Sequence, residues 1–204
     1  MSEEENHNGE QLNAACYYGN FWSVRSLVSS GASIDYQDED GLTPAINCCR
    51  NGHSEILQFI LEQGANAELV DIFGYTPLIY AAVSNEYECA AVLVRHGVVL
   101  DAISTYGCTA LWNASWKGYL PIVQLLVQGG ADIERASNDG RTPMVAAREQ
   151  GRTAVATFLS IETNWRRRRN YATVLNSLKG APTNSKTVRA LQCYDVARVI
   201  GSYL

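Results

Sequence analysis

The chain has no long hydrophobic run. Its 204 residues contain no apolar stretch close to the roughly 18 to 20 that a helix needs to cross a bilayer, and Cys89–Val94 is among the longest. It has 6 cysteines but no C-x-x-C pair, so neither a zinc site nor a disulfide framework is indicated. The 3 histidines, His7, His53 and His96, are scattered and offer no ligand cluster and no partner for a nucleophile. There is no P-loop and no G-x-G-x-x-G, the glycine patterns that bring backbone amides up to phosphates. These absences exclude the common routes to catalysis; no catalytic residue, cofactor or metal is expected. The opening "MSEEENHNGEQ" is acidic and polar, unlike a secretory signal. The expected location is therefore cytoplasmic, with the nucleus as the alternative, and the thiols are expected to be reduced and packed.

Apolar residues make up 47% and charged residues 18%, a globular balance with a strong internal asymmetry. Residues 1–162 hold 8 Lys+Arg against 20 Asp+Glu, whereas residues 163–204 hold 8 against 1. Two different objects are joined at about residue 162.

The first object is periodic. At an offset of 33, Gly41-Leu42-Thr43-Pro44 aligns with Gly74-Tyr75-Thr76-Pro77, Gly107-Cys108-Thr109-Ala110 and Gly140-Arg141-Thr142-Pro143. Gly31, Gly64, Gly97 and Gly130 fall on the same period. Thr before Pro supplies a hydroxyl acceptor for free helix amides, and proline at the first helical position loses no needed N–H. Small residues recur where two helices must approach closely: Ala15/Cys16, Cys48/Cys49, Ala81/Ala82 and Ala114/Ser115. A second helix follows, with apolar pairs four apart such as Ile56/Leu57 and Ile60/Leu61, and each of the four periodic glycines then ends it.

A 33-residue period beginning G-x-T-P resembles the ankyrin repeat, and Thr76-Pro77-Leu78-Ile79-Tyr80-Ala81-Ala82 matches its T-P-L-H-x-A signature except at Ile79. The resemblance implies an all-α solenoid of helix-turn-helix units with β-turn tips. Repeats are expected at about 5–37, 38–70, 71–103, 104–136 and 137–162, the first, without T-P, reading as an N-terminal cap. It further implies a non-enzymatic scaffold that binds a protein, as a monomer, through a concave groove lined by turn tips and the outer face of each first helix. Carried over position by position, those places hold Ile72, Phe73 and Tyr75; Tyr106; Trp116; Tyr17 and Tyr18; and Glu39 and Asp40. Apolar residues at a turn, where polar ones are the ordinary choice, suggest an interaction patch with an acidic rim. The expected partner carries an apolar centre and basic flanks. Phe73 or Tyr75 could instead fold over the next turn as packing. Trp112, in the signature histidine's place, is expected to pack inward, and His53 to make a structural hydrogen bond. Asn113-Ala114-Ser115 matches a glycosylation sequon but falls within a helix.

The tail, 163–204, breaks the period. "TNWRRRRNYATVLNSL" reads as a helix from Thr163, "KGAPTNSK" as a loop and "TVRALQCYDVARVIGSYL" as a second helix, together a hairpin expected to cap the last repeat. Arg166, Arg167, Arg168 and Arg169 could serve nuclear targeting or phosphate contact, although a charge run on a helix is usually a solvated face; nucleic acid is not the expected partner. The closing "YDVARVIGSYL" resembles the D-x-x-x-x-I-x-S-[FY]-L helix of F-box modules but lacks their Leu-Pro and stands at the end. That likeness implies the alternative function, an adaptor recruiting a substrate to a larger complex such as a ubiquitin ligase through the tail. A nuclear regulator using the arginines is the other alternative.

Overall fold

The computed structural model describes residues 3–178, with side chains described over 7–166. Helices come in pairs: α1 (Glu3–Tyr18) with α2 (Phe21–Ser29), α3 (Pro44–Asn51) with α4 (Ser54–Glu62), and α5 (Pro77–Ser84) with α6 (Tyr87–His96). Then come α7 (Ala110–Lys117) with α8 (Leu120–Gly129), and α9 (Pro143–Glu149) before α10 (Thr153–Leu178). Among the described residues there is no strand, and no helix is long and apolar enough to cross a membrane.

The sequence signals act where they were expected. Thr43, Thr76, Thr109 and Thr142 cap α3, α5, α7 and α9, each accepting from the amide three residues on. Such a cap is worth about 1 kcal/mol over alanine. First helices turn back to second helices through a left-handed residue at Gly19, Gly52, Gly118 and Gly151, with Asn85 (φ 65°) in that place in the third repeat. Asparagine is among the few other residues that tolerate this backbone.

First helices pack side by side in the order α1, α3, α5, α7, α9, and second helices in the order α2, α4, α6, α8. Ala15, Cys16, Cys48, Cys49, Ala81, Ala82, Ala114 and Ser115 are buried on the first helices. The aliphatic stripe of the second helices, Ile56, Leu57, Ile60, Leu93, Ile122, Val123 and Leu126, completes one continuous core. The cysteines occupy alanine places, and the five described ones are free and buried. Burial pushes the Cys48 and Cys49 thiols well above the usual range, and a thiol that stays protonated is a poor nucleophile. In the native protein these five should resist alkylation in a mass-mapped iodoacetamide assay and react together only on unfolding. Rapid native labelling of Cys48 or Cys49 would contradict this packing.

One buried group is poorly served. The Ser115 hydroxyl is sealed without a hydrogen-bond partner, in a place that holds Cys16, Cys49 or Ala82 in other repeats. Ser115→Ala should therefore stabilise the fold by about 1 kcal/mol, because it removes an unsatisfied polar atom and leaves a residue the place accepts. A lowered melting temperature would count against this.

α1 begins at Glu3, within the acidic opening, and is 16 residues long against 8 for α3, α5 and α7. Helix therefore occupies the place of a turn tip in the first repeat. One expectation needs correction: the helix expected to start at Thr163 does not start there, since α10 runs unbroken through that point. Thr163 stands where the period places a helix-ending glycine, and α10 contains neither glycine nor proline. The chain divides within α10 into two compact units, 1–160 and 161–204. The loop and second arm of the expected hairpin, with the closing "YDVARVIGSYL", lie outside the described residues.

Candidate functional site

Each turn tip is built around one polar side chain at a 33-residue spacing. Asp38 Oδ1 accepts from the Asp40 and Leu42 amides, and Asp71 Oδ1 from the Phe73 and Tyr75 amides at 2.9 and 2.7 Å. Ser104 Oγ does the same for Tyr106 and Cys108. These bonds close each turn locally. Asp38, next to Glu39 and Asp40, thus spends one carboxylate oxygen on its own loop.

The tips are also tied to one another. The Ile72 N–H donates to Asp40 O at 3.0 Å, Thr105 N–H to Phe73 O at 2.9 Å, and Asn138 N–H to Tyr106 O at 3.0 Å. The Asn138 side chain adds a bond to Thr105 O at 2.9 Å, and Gln37 Nε2 reaches Val70 O at 3.0 Å. Further links follow the same logic: His53 Nε2 lies 3.1 Å from Tyr17 O, and Trp112 Nε1 donates to Arg141 O at 2.9 Å. Consecutive tips are therefore a bonded series held in register.

On this series Ile72 is 58%, Phe73 47% and Tyr106 58% exposed. Val70 and Ile103, which sequence reasoning missed, are exposed beside them. They too are 33 residues apart, immediately before a tip, and that spacing was the available signal. Glu39 and Asp40 are exposed on the preceding tip. On the following one Asp139 pairs with Arg141 at 2.8 Å, which in turn pairs with Glu149 at 3.0 Å. A hydrogen bond from Ser137, together with that guanidinium, holds the Asp139 carboxyl below its ordinary range.

Other sequence-nominated residues sit differently. Tyr75 is half-buried, edge-on to Tyr80 at 5.6 Å, while the Tyr80 hydroxyl donates to Asp71 Oδ2 at 2.8 Å. Burial and that bond raise the Tyr80 pKa, keeping it a neutral donor. Trp116 is half-buried and stacked on Trp112 at 6.4 Å, with Lys117 Nζ 5.1 Å from its ring centre. Cys108, two residues beyond Tyr106, is buried. Asn113, the first residue of the sequon, is buried too, and its side-chain amide donates to Thr109 O.

Tyr17 and Tyr18 are exposed at the end of α1, edge-to-face at 5.1 Å. They border an open groove of about 320 Å³ whose lining also includes Glu10, Asn13, Tyr36, Asp38, Leu42 and Arg50. Of the arginine run, Arg166 to Arg169 lie on α10, and the side chains of Arg167, Arg168 and Arg169 lie outside the description. Among the described residues no group of His, Cys, Asp and Glu could hold a metal.

The family model for ankyrin repeats (3 copies) matches residues 12–104, and that for a single ankyrin repeat matches residues 106–138. The chain belongs to the ankyrin-repeat family. Its repeats are of the kind that generally serve as protein–protein interaction modules, typically in non-enzymatic scaffolds. No curated protein matches the chain.

Proposed function

We propose that this protein is a non-catalytic recognition scaffold that grips a partner protein on the tips of its third and fourth repeats. The observation that carries the reading is the exposure of Ile72, Phe73 and Tyr106 on tips joined by the Thr105-to-Phe73 hydrogen bond. Leaving large apolar and aromatic side chains in water gives up the free energy of burying them, about 25 cal/mol per Å². A folded chain keeps such a cluster when another surface covers it. Aromatic residues suit this role because they bring much area for few rotatable bonds. Backbone bonds fix the tips before binding, so little ordering cost remains to be met on association. Glu39 and Asp40 beside the patch favour a partner with an apolar centre and basic flanks.

The experiment is proximity labelling and capture with the natural chain and with a Phe73→Ser/Tyr106→Ser double variant, followed by direct binding of each purified candidate. The true partner should bind the natural chain and lose about 100-fold or more of its affinity for the variant, as expected for two central aromatic anchors. Helical circular dichroism should stay the same. Equal affinity for both chains would overturn the tip reading. Loss of folding in the variant would show that the two rings serve packing instead.

A further inference from the structure

We draw no further inference here: the strongest candidate, the surface patch of exposed Tyr18 and Trp22 at the corner between α1 and α2, is an open aromatic face, and nothing in the structure shows what covers it.

Discussion

Gly107→Ala should destabilise the array by about 3 kcal/mol, whereas Gly140→Ala should cost about 1 kcal/mol, although both residues occupy the same place in successive tips. Both have a left-handed backbone, φ 74° and 81°, so both replacements carry the cost of putting a side chain there. They differ in what the new Cβ meets. At Gly140 there is nothing within 4 Å, but at Gly107 the Cβ would come to 2.7 Å from the Asn138 backbone nitrogen and also against its side chain. That nitrogen donates to Tyr106 O, and the Asn138 side chain donates to Thr105 O. A backbone atom cannot step aside as a flexible side-chain end can, so the alanine must part the two tips. For a domain of this size the larger change corresponds to a fall in melting temperature of about 6–12 °C. Matching melts for the two variants would mean that neighbouring tips do not touch.

Asp71→Ala should cost a similar amount, about 3 kcal/mol, and should loosen the partner site as well. This buried carboxylate accepts from the Phe73 and Tyr75 amides and from the Tyr80 hydroxyl. Without it, the loop carrying Ile72 and Phe73 loses the bonds that set its shape. Ser104 and Ser137 fill the corresponding place in the next two repeats, so Asp71→Ser should recover most of the stability. Denaturant unfolding of the three chains measures this directly. A serine variant as unstable as the alanine variant would show that the negative charge, and not the turn geometry, was needed.

How much of this was legible in the sequence depended on whether a feature repeats. Thr43, Thr76, Thr109 and Thr142 recur at a fixed spacing and mark helix starts, and the paired aliphatic residues mark the buried faces. The apolar letters around Gly74 likewise pointed to a surface patch, because turn tips stay at the edge of a stacked array. The departures arise where the period gives no information. Thr163 replaces a helix-ending glycine, so α10 continues through a point where the charge balance suggested a new element. Trp116 shares its repeat position with the exposed Tyr17, Arg50 and Glu149, whereas Tyr75 shares one with the part-buried Leu42 and the buried Cys108; each of the two lies against an aromatic neighbour particular to its own repeat. The open groove beside Tyr17 and Tyr18 combines residues from α1, the segment after α2, and α3, and no regular spacing links Glu10, Asn13 and Tyr36.

Amide hydrogen exchange at Ile72, Thr105 and Asn138, followed residue by residue by NMR, tests the stacking of the tips most directly. Each of these N–H groups is bonded to the tip before it, so all three should exchange far more slowly than the Glu39 amide at the first tip. Exchange of all three at the rate of a free loop would mean that the tips are separate, and that Ile72, Phe73 and Tyr106 do not form one surface.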